Sequence, residues 1–166
     1  IHASLTGHLV FSTLHTNDAP GAVTRLLDMG VEPFLVSSSL IGVVAQRLLR
    51  RICSNCGESS ELPGADVVSA LHLSTEEIKS GNFRIGQGCS KCGGSGFKGR
   101  QGLYELFVVD EEVKKMVVER QSSNVLKQYA VKNLGLKTLL QDGKLNVLAG
   151  KTTPSEVLRV CQREEL

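Results

Sequence analysis

The cysteines constrain the fold of this chain more than any other feature, because four of the five fall into two closely spaced pairs. The pairs are Cys53-Ser-Asn-Cys56 and Cys89-Ser-Lys-Cys92, with residues 57–88 between them. Two thiolates separated by two residues can bind one metal ion from a tight turn, and two such turns complete the tetrahedron that Zn²⁺ prefers. The sequence therefore predicts a structural zinc site whose ligands are Cys53, Cys56, Cys89 and Cys92.

Two other interpretations of the cysteines stay open at this point. Two disulfide bonds would require an oxidising compartment, and nothing in the sequence indicates export. A redox-active C-x-x-C would use one pair and leave the other without a role. A catalytic zinc is disfavoured because such sites keep one coordination position open. Cys161 lies in a helical pattern and is predicted to be a small apolar residue, buried or half-buried.

Composition and hydropathy narrow the class of protein further. The net charge is only +2 and there is no Trp, whereas nucleic-acid binders typically carry a basic stripe and aromatic stacking platforms. Nucleic acid is therefore not an expected partner. The longest run without charged residues or histidine, 33–46, is shorter than the roughly 20 apolar residues of a membrane span, and we expect a buried helix there. No signal peptide is visible and the first residue is Ile1, so we expect the chain to begin partway through a longer protein.

The pattern of apolar residues predicts an α/β chain whose C-terminal third is helical. Strands are expected at 9–14, 83–85 and 103–109. Helices are expected at 20–30, 32–51, 67–73, 75–79, 110–120, 122–133, 138–149 and 154–162. The expected N-terminal caps include Asn17 or Asp18, Ser74 or Thr75, Asp110, Ser123 and Thr153. Gly143 interrupts one predicted helix and weakens the prediction there.

Polar residues gather around the first predicted strand. His8 and His15 flank it, and ligand-binding groups commonly collect at the carboxyl end of a strand in an α/β unit. The alternative is that each histidine is satisfied by neighbouring backbone. A basic cluster lies at the predicted end of the second helix and consists of Arg47, Arg50 and Arg51. It could bind an acidic partner or a phosphate, or it could be a solvated helix end.

Six segments in this order resemble the ATPases of type II secretion and type IV pilus assembly. The segments are 3–18, which is similar to the histidine box of that family, 22–34, 45–53, 88–92, 96–105 and 135–158. The likeness covers nearly the whole chain and is weakest over 58–87. It implies the C-terminal portion of a RecA-like ATPase domain with a four-cysteine zinc subdomain and a C-terminal helical bundle. The implied divisions are 1–52 for the end of the RecA-like core, 53–97 for the zinc subdomain and 98–166 for the remaining strand and helices.

The resemblance also implies a function. Members of the family are hexameric motor ATPases at the cytoplasmic face of the bacterial inner membrane. They use ATP and Mg²⁺ to drive the assembly of pilins or pseudopilins, and they meet an inner-membrane platform protein through peripheral association only. By this likeness His8 and His15 are catalytic residues that sense phosphate, and Arg100 approaches the nucleotide. Other cofactor-binding residues are not assigned.

One departure from the family is important. Its phosphate loop and its acidic metal-binding strand precede the histidine box, and no G-x-x-x-x-G-K-[ST] occurs in these 166 residues. Because Mg²⁺ and the groups that hold the phosphates dominate phosphoryl transfer, we predict that this fragment alone does not hydrolyse ATP.

A second hypothesis is a non-enzymatic zinc-binding protein-interaction module. The segment from Cys89 to Gly96 matches the C-x-x-C-x-G-x-G unit that J-domain chaperones repeat. Here Cys56 is followed by Gly-Glu-Ser-Ser, so the unit is not repeated.

Overall fold

The computed structural model describes residues 1–161, which form two compact units, each built from two stretches of chain. Unit 1 contains Ile1–Ala45 and Glu105–Thr138. Unit 2 contains Gln46–Tyr104 and the described chain from Leu139 onward. The three-segment division inferred from the sequence stays a prediction.

The secondary structure mixes short helices with two small sheets. The helices are α1 (His2–Leu5), α2 (Gly21–Asp28), α3 (Pro33–Ser39), α4 (Ala65–Ala70), α5 (Thr75–Ser80), α6 (Glu111–Val118), α7 (Ser123–Asn133), α8 (Leu139–Leu148) and α9 (Pro154–Val160). The strands are β1 (Gly42–Ile52), β2 (Gly57–Ser59), β3 (Arg84–Gly86) and β4 (Phe97–Val108). β1 pairs with β4, and β2 pairs antiparallel with β3. Among the described helices, none has the length and hydrophobicity needed to cross a bilayer.

Unit 1 is organised around Phe107, which is fully buried in the β4 segment of the unit. Its core cluster combines apolar side chains from α2, α3, α6 and α7 and the segments beside them, namely Ala19, Val23, Val36, Phe107, Val109, Val113, Val117, Leu126, Ala130 and Leu136.

Glu105 is also buried, and its Oε1 accepts the backbone N–H of Ala19 at 2.8 Å, just before α2 begins. The pairing stabilises the helix start because a carboxylate favours the N-terminal end of a helix dipole.

Side-chain hydrogen bonds stabilise several of the helix starts, as the sequence predicts. Asp18 Oδ1 accepts the N–H of Gly21 at the start of α2, and Asp110 Oδ1 accepts that of Val113 in α6. Ser74 forms a reciprocal capping box with Glu77 in α5. The α7 cap is Ser122 and not the predicted Ser123, a shift of one residue that is ordinary at helix ends.

Two predicted elements are wrong. Residues 9–14 form no strand: they make no backbone hydrogen bond within the described chain, and Leu9 and Phe11 are 72% and 87% exposed. A strand requires a neighbour to pair with its backbone, and the described residues supply none.

The predicted helix at 32–51 ends at Ser39 and is followed by β1, so the buried helix expected over 33–46 is also wrong. Pairing with β4 overrides helix propensity there. From Val44 to the buried Leu49, exposed and less exposed side chains alternate along β1, as is typical of a strand.

The remaining differences are smaller. β4 begins at Phe97, six residues before the predicted strand, while β2 and α1 were not predicted. The short helices near 67–73 and 75–79 and the four C-terminal helices are confirmed to within three residues at each end over the described residues. Gln162, the predicted last residue of α9, lies outside the described residues. Cys161 is buried, as predicted.

Gly143, which weakened the prediction of α8, has a packing role in unit 2. An added Cβ would overlap Cγ1 of the fully buried Val157 in α9 and lie 3.2 Å from its Cγ2. We expect Gly143→Ala to lower the free energy of unfolding by about 1–3 kcal/mol through overpacking, despite the gain in helix propensity of about 1 kcal/mol. Urea denaturation measures the change. Gly143→Ala combined with Val157→Ala should cost less than the sum of the single changes, and additive costs would contradict this explanation.

Glu156, which is 2% exposed, is a buried charged residue of unit 2. It accepts hydrogen bonds from the Arg50 guanidinium, from the Arg159 guanidinium and from the backbone N–H of Arg50. The Arg50 guanidinium above all, then that of Arg159, holds the pKa of Glu156 far below its usual range. The carboxylate therefore joins the start of α9 to β1.

The lowered pKa predicts a pH dependence of stability. A carboxyl group whose pKa is lowered by folding stabilises the fold above its unfolded pKa of about 4.3, and this stability is lost as the pH falls through the folded value. Because both arginines are half exposed, we expect Glu156→Gln to cost only about 1–3 kcal/mol at pH 7. The difference from the unmodified protein should shrink below about pH 4. A difference that stays constant from pH 7 to pH 3 in denaturation experiments would contradict this.

Candidate metal centre

The sulfur atoms of Cys53, Cys56, Cys89 and Cys92 lie within 4.8 Å of one another. The Sγ–Sγ distances are 3.9 Å from Cys53 to Cys89, 3.8 Å from Cys56 to Cys92 and 3.7 Å from Cys89 to Cys92. A regular tetrahedron with metal–sulfur bonds of about 2.3 Å has edges of about 3.8 Å. The cluster thus has the dimensions of a tetrathiolate site that could hold one metal ion.

The sulfur distances also bear on the alternatives. A disulfide bond joins two sulfurs at about 2.05 Å, and none of the four cluster cysteines forms one. The structure therefore contains neither of the two disulfide bonds that the sequence left open. A redox pair also fits poorly because both pairs contribute to one cluster.

Two turns bring the cysteines together. The first follows β1 directly, and the N–H of Cys53 donates to the carbonyl of Gly96 at 2.9 Å. The second is a 3₁₀ turn (Ser90–Cys92), and the left-handed residues Gly93 and Gly94 follow it. Positive φ angles suit glycine there and let the backbone fold back over the sulfurs.

A close backbone contact locks the second turn onto the small sheet. Gly96, at φ +74°, lies so near Gly86 at the end of β3 that an added Cβ on either residue would overlap the carbonyl oxygen of the other. A further bond joins the turns, since the N–H of Gln87 donates to the carbonyl of Cys56 at 3.0 Å. Only glycine fits at positions 86 and 96.

The pKa values of the cluster thiols differ, because burial and hydrogen bonds act on them to different extents. Burial raises the pKa of Cys56 to about 12, with help from the neighbouring thiols. Burial acts the same way on Cys92, but the N–H groups of Cys89 and Gly96 outweigh it and lower the pKa of Cys92 to about 6. The pKa of Cys89 is also lowered, against burial, chiefly by the amide of Asn55. Thiolates are the metal-binding form of cysteine, so the second pair is the readier to bind a cation.

The two candidate histidines are not brought together by any hydrogen bond in the described chain. His8 is exposed, and its Nδ1 lies 3.2 Å from the carbonyl oxygen of Ala3 and 3.1 Å from Oγ1 of Thr6. His15 is exposed at the end of the unpaired segment. Their assignment as catalytic residues stays a prediction.

The basic cluster lies on β1 and not at a helix end, which corrects the expectation from the sequence. The guanidinium of Arg50 donates to Glu156 and stacks over the ring of Phe97, with its carbon 4.3 Å from the ring centroid. Arg51 is exposed, and Arg100 is exposed on β4.

One residue of the centre was missed in the sequence. Asn55 lies between the cysteines of the first pair, and its Nδ2 is 3.4 Å from Sγ of Cys89. The available signal was an amide side chain inside a C-x-x-C turn, where it can donate to sulfur.

Comparison with known proteins finds relatives of this chain among secretion and pilus proteins. A family model described as "Type II/IV secretion system protein" matches residues 1–159. The type IV pilus assembly ATPase PilB of Thermus thermophilus is 48% identical over 156 residues, covering 94% of this chain and 17% of that protein. The type II secretion system protein E of Pseudomonas aeruginosa is 43% identical over 164 residues, covering 99% of this chain and 32% of that protein.

A solved structure shares the fold. The pilus retraction motor PilT with bound ADP matches with a TM-score of 0.58 and 22% identity, over 97% of this chain and 34% of that one. The chain belongs to the type II/IV secretion system protein family. It spans between about a sixth and a third of the length of the relatives described above.

Proposed function

We propose that this chain is the C-terminal part of a hexameric motor ATPase that drives the assembly of pilins or pseudopilins in type IV pilus biogenesis or type II secretion. The observation that carries the proposal is the match of residues 1–159 to one family whose named relatives include pilus assembly ATPases. The full-length protein hydrolyses ATP with Mg²⁺ at the cytoplasmic face of the inner membrane. It meets an inner-membrane platform protein there through peripheral association.

Exposed apolar side chains in unit 1 support a larger domain around this chain. Ile41, Val44, Leu106 and Val108 are 74%, 59%, 57% and 48% exposed on or beside the two strand segments of the unit. The unpaired segment 9–14 adds further apolar surface. Burying such a surface stabilises a fold, and the rest of the full-length protein is the natural cover.

Both histidines have a role at the nucleotide in this proposal. His8 and His15 flank a segment that would become a strand once it is paired, with His15 at its carboxyl end. In the full-length protein we assign both imidazoles to contacts with the terminal phosphate of ATP. The residues that hold Mg²⁺ and the remaining phosphates lie outside this chain.

The cysteine cluster holds a structural Zn²⁺ in this proposal. Cys53, Cys56, Cys89 and Cys92 fill all four coordination positions, so the ion supplies a cross-link and no open site for chemistry. The sulfur geometry and the N–H donors around the second pair support this assignment.

A gene deletion tests the function. In the source bacterium we expect deletion of the gene to abolish either surface pili or the release of secreted proteins, and a plasmid copy of the full gene to restore the lost process. A deletion strain with normal pili and normal secretion would contradict the proposal.

A further inference from the structure

Asn55 connects the two halves of the cysteine cluster. It belongs to the first C-x-x-C turn, yet its side-chain nitrogen lies 3.4 Å from Sγ of Cys89 in the second, 34 positions further along the chain. A sulfur atom is larger than an oxygen atom, so this distance is that of an N–H···S hydrogen bond. The amide therefore reaches across the centre to a cysteine that is not its neighbour in sequence.

Backbone groups serve another sulfur of the cluster in a similar way. The N–H of Cys89 donates to Sγ of Cys92 at 3.2 Å, within the second turn. Such a bond follows from the turn itself and requires no side chain other than that of the cysteine ligand. The bond from Asn55 is different because it depends on the identity of one side chain.

We propose that Asn55 is a positioning residue of the metal centre, which donates an N–H to the metal-binding sulfur of Cys89 and thereby slows release of the ion. This inference rests on the proposed zinc site. Four thiolates around Zn²⁺ leave the site with a net negative charge, and an N–H donor offsets part of that charge at the sulfur it contacts. A sulfur held in this way is also less free to swing off the metal.

The position of Asn55 makes the inference testable. Its side chain is exposed, so its removal leaves no cavity in the core. Replacement by aspartate keeps the shape but turns the donor into a carboxylate that faces a thiolate. Ser54 is the matched control because it is an exposed residue of the same turn whose side chain makes no hydrogen bond in the described chain.

The test compares zinc release from the full-length protein and its Asn55→Ala, Asn55→Asp and Ser54→Ala variants. The zinc content of each protein is measured first, and circular dichroism checks the fold. The rate of zinc transfer to a chromophoric chelator is then followed at pH 7. Loss of a residue that supports a metal ligand typically weakens binding about 10- to 100-fold. We expect release about 10-fold faster for Asn55→Ala, faster still for Asn55→Asp, and unchanged for Ser54→Ala.

The outcomes separate the two proposals. Release at the unmodified rate from both Asn55 variants, each holding one zinc ion per chain, would overturn the role of Asn55 and leave the zinc site standing. Equal acceleration by Ser54→Ala would also overturn it, because the effect would belong to the turn and not to the amide. An unmodified protein that contains no zinc would overturn the metal site itself and the role of Asn55 with it.

Discussion

The Cys92→Ser variant of the full-length protein is expected to lose its zinc and to unfold locally between residues 53 and 97. A serine hydroxyl does not replace a thiolate as a zinc ligand, and three ligands would leave the coordination incomplete. Zinc content should fall from about one ion per chain to nearly none. Limited proteolysis should show new cleavage sites between 53 and 97, while the core around Phe107 in unit 1 stays resistant.

The size of this effect follows from how little else holds the segment. Between residues 53 and 97, all of which the structure describes, the large buried apolar side chains are Leu71, Leu73 and Phe83. A small lobe of this kind commonly depends on a metal or disulfide for its stability. Structural zinc sites supply about 10–16 kcal/mol of binding free energy, which is folding free energy when the unfolded chain has no preformed site.

Cys161→Ala provides the matched control. Cys161 is buried like Cys53 but lies outside the cluster, so its replacement should retain the zinc. Unchanged zinc content and an unchanged cleavage pattern in Cys92→Ser would show that the ligand set is wrong.

The second large effect concerns the histidines. In the full-length protein we expect His15→Ala to lower the rate of ATP hydrolysis about 100- to 1,000-fold, as expected when a donor aimed at developing charge is removed. His8→Ala should act in the same direction. Steady-state phosphate release measures both variants.

His2, another exposed histidine of unit 1, provides the control for the His15→Ala variant. His2 lies in α1, is exposed and has no assigned role, so His2→Ala should hydrolyse ATP at the unmodified rate. Turnover in His15→Ala equal to that of His2→Ala would contradict the assignment of His15.

The comparison of sequence and structure shows which interactions are local. The cysteine spacing was sufficient to predict that four sulfurs meet, because each C-x-x-C turn is local and a tetrahedron needs two of them. Caps such as Asp110 and Thr153 were also predictable, since each accepts an N–H three residues further on. Asn55 was not found, because its bond to Cys89 crosses between the two turns.

The two wrong elements depend on distant pairing. Residues 9–14 have the composition of a strand, but a strand forms only where another backbone accepts and donates its hydrogen bonds. Residues 42–52 have the apolar content of either a helix or a strand, and pairing with β4 determined the result. Propensity alone could not decide either case.

The central claim is that this chain is one part of an ATP-driven motor whose phosphate-binding elements lie elsewhere in the protein. The most direct test measures ATP hydrolysis with Mg²⁺ for the full-length protein and for these 166 residues, side by side at equal concentration. We expect turnover by the full-length protein and none above background by the 166-residue chain. Turnover by the isolated chain, or its absence in the full-length protein, would contradict the claim.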